Sequence, residues 1–178
     1  MSNCVVIPDN GIPYALSELK QLVYNKCGFV LLNPLEEKES ADYAACRFQL
    51  NNLNVVFRSA KITPTKIGQF VTLWKRIENG PIQPFDFSDD VDLFVINTKT
   101  ENHFGQFVFP KAVLLEQGVI SSGLKDGKRA IRVYPPWDIT ISKQAKKTQS
   151  WQRDYFFEIP FDGLIDLDQV KKLYFQKL

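Results

Sequence analysis

The stretch RSAKITPTKIGQFVTLWKR carries five cations (Arg58, Lys61, Lys66, Lys75 and Arg76), together with Phe70 and Trp74, and no acid. A second basic block, Ser121 to Arg153, sets Lys125, Lys128, Arg129, Arg132, Lys143, Lys146, Lys147 and Arg153 against only Asp126 and Asp138. Tyr134, Trp137, Trp151 and Tyr155 lie within or beside it. Ammonium and guanidinium groups neutralise phosphates and displace their counterions, while aromatic faces stack on bases. The chemistry this combination can do is to hold DNA or RNA by its backbone. Phosphate contacts position a protein without reading bases, so sequence specificity is not expected. The other reading of the same charges is a solvated face, with the rings in the core.

Other chemistries have less to work with. His103 is the only histidine, and it sits in a polar turn without a neighbouring nucleophile, where an exposed turn residue is expected. With Cys4, Cys27 and Cys46 scattered along the chain, zinc spacing is absent and no metal ligand set is assigned. Thr63–Gly68 (TPTKIG) combines hydroxyls, a lysine and a glycine in a loop that could cradle a phosphate, although it is not a Walker loop. Asp86, Asp89, Asp90 and Asp92 are the only charged residues from Pro81 to Thr98. Asp92 heads the strand-like run DLFVI, and a hard cation such as magnesium takes one or two such carboxylates. Acids at a strand start are also ordinary turn residues.

The elements that must position these groups are legible as a mixed α/β order, a sheet flanked by helices. PYALSELKQLVYNKCG reads as a helix, with Pro13 in its first turn and Gly28 closing it. NPLEEKES reads as a polar connector. YAACRFQL and NVVFRSAKI read as strands joined by an Asn51-Asn52 turn. GQFVTLWKRI is open between a helix, lined by Phe70, Val71, Leu73 and Trp74, and a strand, which its β-branched and aromatic residues favour; ENGPIQPF breaks it. DLFVINT and FGQFVF form two more strands around a turn at Lys99–His103. PKAVLLEQGVI reads as a helix, KRAIRVY as a strand, SKQAKKTQSWQRDYF as a helix capped by Ser142, and DLDQVKKLYFQKL as a last helix matched to its dipole. Within KRAIRVY, period 2 puts Lys128, Ala130 and Arg132 on one face and Arg129 on the other.

A chain of 178 residues with 44% apolar and 24% charged residues favours one folded domain over residues 1–178 and excludes disorder. The net charge of +2 implies no partner by itself. Three unpaired cysteines and a start without a signal-peptide pattern lead to the expectation of a cytoplasmic protein with free thiols. Without a long apolar run, membrane insertion is not expected. The oligomeric state is open.

The segments RSAKITPTKIGQFVTLWKR, GKRAIRVYPPWD and AKKTQSWQ make this sequence resemble the MepB protein family, from about Tyr43 to Trp151. The resemblance implies a fold similar to restriction endonucleases, the PD-(D/E)xK nucleases, and an association with a multidrug-efflux gene cluster. That core is a helix, three strands, a helix and a strand, with an Asp opening the second strand and acid-x-Lys on the third. Asp92 would be the first acid and Lys111 the lysine, the catalytic pair if any catalysis exists. Phe109 then stands where the second acid belongs. A second placement uses RSAK, with Lys61 as the lysine and Ser59 in place of the acid. Glu18 or Glu39 would have to supply the missing carboxylate from another element. Without two acids the site is degenerate.

The expectation is therefore a nucleic-acid binder on a nuclease-like scaffold. Phosphate contacts are assigned to Arg58, Lys61, Lys66, Lys75, Lys128, Arg132, Lys143, Lys146 and Lys147, and stacking to Trp137 and Trp151. No cofactor is expected. Magnesium enters only in the first alternative, an active metal-dependent nuclease. A second alternative is an accessory binder of small aromatic ligands, with Trp74, Trp137 and Trp151 lining a pocket.

Overall fold

The computed structural model describes residues 11–176. The chain opens with helical residues 14–27: α1 (Tyr14–Leu19), a π-helical stretch Lys20–Tyr24, and α2 (Asn25–Cys27). Gly28 ends it in the left-handed region at φ 72°, where a side chain would be strained. There follow β1 (Leu31–Glu36), a 3-10 segment (Lys38–Tyr43), β2 (Cys46–Leu50), β3 (Leu53–Ser59), β4 (Lys61–Thr63), β5 (Lys66–Thr72), β6 (Trp74–Arg76), β7 (Ile82–Pro84), β8 (Leu93–Lys99) and β9 (Phe104–Pro110). The remainder is α3 (Lys111–Glu116), β10 (Ala130–Val133), α4 (Lys143–Gln152), β11 (Phe156–Glu158) and α5 (Leu167–Tyr174).

The main sheet has six strands in the order β1-β2-β3-β8-β9-β11. All neighbours are antiparallel except β3 and β8, which run parallel. The fold is thus mixed α+β, a mixed six-stranded sheet flanked by helices. Asn51 and Asn52, at φ 46° and 69°, make the tight β2–β3 turn, since only residues tolerant of positive φ fit a primed hairpin.

β8 and β9 are buried on both sides over almost their whole length, so they carry continuous apolar runs, as central strands do. Beneath one face of the sheet, Leu16, Leu19, Val23 and Tyr24 of the N-terminal helix and Val170, Leu173 and Tyr174 of α5 pack on Phe48, Val55, Phe57, Val95 and Val108. Above the other face, Val71, Ile131 and Val133 of a second sheet, together with Leu73 just beyond β5 and Leu114 of α3, pack on Val56, Phe94, Ile96, Phe107 and Phe109. That second sheet has the order β10-β5-β4. Two of its strands, β4 and β5, lie in the crossover between the parallel strands β3 and β8, which accordingly contains strands where a helix is usual, and β10 joins them from beyond β9.

Four element readings change. NVVFRSAKI is not one strand: it leaves the main sheet as β3 at Ser59, and Lys61 opens β4 of the second sheet. NPLEEKES is not a connector: its first residues belong to β1, an edge strand exposed at nearly every position. Asn33 stands at φ 51° there and the pairing with β2 shifts register between Leu32 and Leu35. An exposed, bulged edge strand has no burial alternation to leave in the sequence. GQFVTLWKRI is two strands of different sheets, divided at buried Leu73, whose N–H donates to Arg129 O at 2.8 Å. The helix read to Phe156 stops at Gln152, and Phe156 opens β11 against Phe107. The final helix is described to Tyr174; Lys177 and Leu178 lie outside the described residues. Among the described residues no helix is long and apolar enough to cross a membrane.

Candidate functional site

On the outer face of the second sheet, β5 and β10 pair in register with Phe70 opposite Arg132 and Val71 opposite Ile131. Alternation sends Val71, Ile131 and Val133 inward to the core and leaves Phe70, Ala130 and Arg132 facing out. Lys128, Ala130 and Arg132 do share a face, as period 2 requires, and all three line one cleft.

Helix α4 forms the opposite wall, and two glutamines one turn apart fix it there. Gln152 is buried and acts as a substitute strand at the free edge of β10: its Nε2 donates to Arg132 O at 3.0 Å and its Oε1 accepts from Tyr134 N at 2.8 Å. Gln149 Nε2 donates to Pro135 O and Asp138 O, both at 2.9 Å, and its Oε1 accepts from Thr140 Oγ1 at 3.0 Å. Ser142 caps the helix by accepting from Ala145 N at 3.1 Å. Trp151 anchors on Phe109, centroids 5.3 Å apart.

The cleft so formed holds roughly 480 Å³. Lys66, Lys128, Arg132 and Lys147 line it with Phe70, Tyr134 and Trp151, and no carboxylate does. The three lysines are exposed, while the three rings are half-buried, so ammonium groups form the rim and aromatic faces the wall and floor. No ion pair or hydrogen bond within the described residues engages the side chains of Lys66, Lys128 or Lys147. Arg132 is different. Its Nη1 donates to Gly68 O at 3.0 Å and its Nη2 to Thr63 Oγ1 at 2.9 Å, with the guanidinium 5.8 Å from the Phe70 ring centre. Much of its donor capacity is spent on the protein, and its charge remains in the cleft.

The expected phosphate cradle at Thr63–Gly68 is corrected by these bonds. Thr63 pairs with Lys66 across a tight hairpin, and Gly68 already lies within β5. The segment's hydroxyl and carbonyls orient Arg132 instead. Gly68 has φ +82°, and a Cβ there would stand 2.6 Å from Tyr134 Cε1, so glycine is what lets the tyrosine ring close the cleft wall. Gly68→Ala is expected to cost about 1–3 kcal/mol of stability and to displace Tyr134. Chemical denaturation, with the Tyr134 ring resonances followed by NMR, checks both.

Lys66, Lys128, Arg132, Lys147 and Trp151 therefore converge, and the other candidates do not join them. Arg58 is 1% exposed; its Nη1 lies 2.6 Å from Glu37 Oε2 and donates to Phe57 O at 2.8 Å. The assignment of Arg58 to phosphate is overturned, because a side chain sealed between the sheet and the Glu37 loop cannot reach one. Burial pulls its guanidinium below the usual arginine range, and the Glu37 charge opposes that shift. Lys75 is bonded to Asp89 and is 15% exposed. Lys61 sits over the Tyr43 ring at 4.8 Å and 3.7 Å from Asp42. Lys143 and Lys146 are exposed on α4, Lys146 in a separate depression beside Arg153 and Asp154. Trp137 is no free platform: it stacks on His103 at 4.8 Å and 10° and meets Phe156 edge-on. His103, half-buried by that ring, has Nδ1 3.3 Å from Glu158 Oε1.

The catalytic candidates, Asp92 and Lys111, do not line the cleft. Asp92 Oδ2 accepts from Asn54 N at 2.8 Å, and Asp92 N donates to Asn54 O at 2.8 Å, so the residue ties the start of β8 to β3. Lys111 Nζ lies 3.4 Å from Asp89 O and 5.1 Å from the Phe87 ring centre. Phe109, at the position of the missing acid, is fully buried. Glu18 pairs with Lys99 at 2.8 Å and Glu39 with Arg76 at 3.0 Å, so neither supplies a free carboxylate. Among the described residues no group of three His, Cys, Asp or Glu is arranged to hold a metal ion.

Gln149 and Gln152 escape sequence reasoning as parts of the site. The signal available in the sequence was the Q-x-x-Q spacing, one helical turn, on an otherwise cationic helix.

The family described as MepB-like matches residues 37–158 of the chain, which includes β2 to β11 and both walls of the cleft. The chain is also similar to the crystal structure of MepB at 35% sequence identity, with a TM-score of 0.71, covering 83% of this chain and 97% of that one. A comparison with curated proteins gave no match. The chain belongs to the MepB-like family.

Proposed function

We propose that this protein binds nucleic acid without sequence preference, holding phosphates on Lys66, Lys128 and Lys147 around the β5–β10–α4 cleft. One observation carries the reading: a cleft with four cations and three aromatic rings on its walls and no acid to neutralise them. In a low-dielectric concavity such an unbalanced field concentrates on an anion. Phosphate is the anion that also brings a flat ring for the aromatic wall.

The scaffold reading is a restriction-endonuclease-like core without its chemistry. What supports this reading is the element order alone, helical residues 14–27 followed by β1, β2 and β3, set beside an opening helix and three strands. A strand-rich insertion then replaces its second helix. In this alignment the second strand reads CRFQL and the third leads into RSAK, so neither acid position carries an acid. Cleavage would have to rest on Asp92 and Lys111, whose polar groups are engaged as described. A flat aromatic cation in the cleft would meet three unpaired ammonium groups. We place the protein in a reducing, cytoplasmic compartment, consistent with Cys27 and Cys46 being free thiols.

The test is fluorescence anisotropy of labelled DNA at two salt concentrations, with and without magnesium. Binding should weaken with salt, by a power of about 0.7–0.9 for each phosphate engaged, and the strand should stay intact when magnesium is added. An absence of binding at low salt would overturn the reading. Magnesium-dependent cutting lost in Asp92→Ala would replace it with the nuclease.

A further inference from the structure

Resting on that reading, we infer that the cleft takes one unstacked nucleotide at a time, so that its ligand is single-stranded nucleic acid in preference to duplex. Three features converge on this. The first is size. A cleft of roughly 480 Å³ is in the range of pockets that enclose one small ligand, about 300–1,000 Å³. A duplex, whose major groove alone is about 12 Å across, could lie over the rim without entering.

The second is the layering of chemistry. Half-buried Trp151, Tyr134 and Phe70 lie inside the ring of exposed lysines. A protein that only follows a duplex backbone gains nothing from rings set below its cations, because paired bases keep their faces stacked on each other. A base swung out of a single strand offers both faces and pays far less to leave its stack. Its own phosphate then stays at the rim, beside the ammonium groups.

The third is the polar part of the lining. Gln117, Gln144 and Thr148 also line the cleft, and no hydrogen bond links Gln117 to any other described residue's side chain, while Gln144 Nε2 donates only to Thr148 Oγ1 at 3.3 Å. Amides carry both donors and acceptors, so they can meet the edge of any base. That suits binding without sequence preference.

Trp151 is the one tryptophan among the cleft residues; Trp137 and Trp74 lie elsewhere. Its fluorescence therefore reports the event. The experiment titrates the full chain with adenosine monophosphate, oligo-dT, oligo-U and a mixed-sequence duplex of equal phosphate content at low salt. Expected are quenching by the mononucleotide and both oligomers, quenching lost in Trp151→Phe, and duplex binding at least tenfold weaker than oligo-dT. Three ammonium contacts give a log K against log salt slope near −2 for the single strand, about 0.7 each. Duplex binding as tightly as oligo-dT, with no quench by the mononucleotide, overturns the inference and leaves the function standing. No binding of any nucleic acid removes both. Trp151 also packs on Phe109, so Tyr134→Leu serves as a second variant. It should weaken oligo-dT several-fold while the unfolding midpoint stays near wild type; unchanged affinity in both variants counts against stacking and sinks the proposal.

Discussion

Glu37→Ala will lower the unfolding free energy by about 3–5 kcal/mol, the cost of breaking a buried ion pair and leaving one charge behind. The charge left is Arg58, 1% exposed, with Nη1 2.6 Å from Glu37 Oε2 and with Nε unpartnered among the described residues. Glu37 also accepts from Arg47 Nε at 2.8 Å, so the substitution loosens a second arginine, itself 5.2 Å from the Phe85 ring centre. The pair holds the end of β1 against β3, and through β3 it fixes the point where the chain leaves the main sheet for β4 and β5. Replacing both members with apolar residues, Glu37→Leu with Arg58→Met, should recover most of the loss, since well-packed hydrophobic groups often match a buried pair. Urea unfolding of the single and double variants decides it. A single-variant loss below about 1 kcal/mol would mean that water reaches Arg58.

The second large effect concerns the cleft. Replacing Lys66, Lys128 and Lys147 together by alanine is expected to weaken oligo-dT binding roughly fiftyfold at 0.15 M salt, on a single-strand dependence of about 0.7 power per phosphate. The salt slope should fall toward zero in the same variant. Stability should hardly change, because these exposed lysines have no partner within the described protein and isolated surface charges contribute little. The comparison set is Lys61, Lys143 and Lys146, basic residues that the structure puts outside the cleft. Their triple alanine variant should keep most of the affinity. Equal losses in both sets would show that total charge, and not the cleft, holds the ligand.

These two predictions divide the first basic segment in two. Arg58 and Lys75 are neutralised in place, while Lys66 is free, although all are cations within one acid-free stretch. Nothing in their types separates them. The partners that do so, Glu37 and Asp89, come from an edge strand's end, brought beside Arg58 by the β1–β2–β3 pairing, and from the loop before β8, brought beside Lys75 within the crossover from β3 to β8.

The sequence by itself determined what is local. The Asn51-Asn52 hairpin follows from two residues that tolerate positive φ, the Ser142 cap from a hydroxyl before a helical run, and the outward face of Lys128, Ala130 and Arg132 from the two-residue period of a strand. DLFVINT and FGQFVF were legible as strands, although their central place in the sheet was not. The family was legible too, because its motifs are long and contiguous. What only the tertiary structure decided is which charges are paired and which share a cavity. Those depend on distances between residues 14 to 81 positions apart, such as Lys75 with Asp89 or Glu18 with Lys99, and composition holds no record of them. The site glutamines escaped for the same reason. Gln152 is an ordinary polar residue until β10 needs a partner for its open edge, and that need exists only once the sheet and α4 have packed.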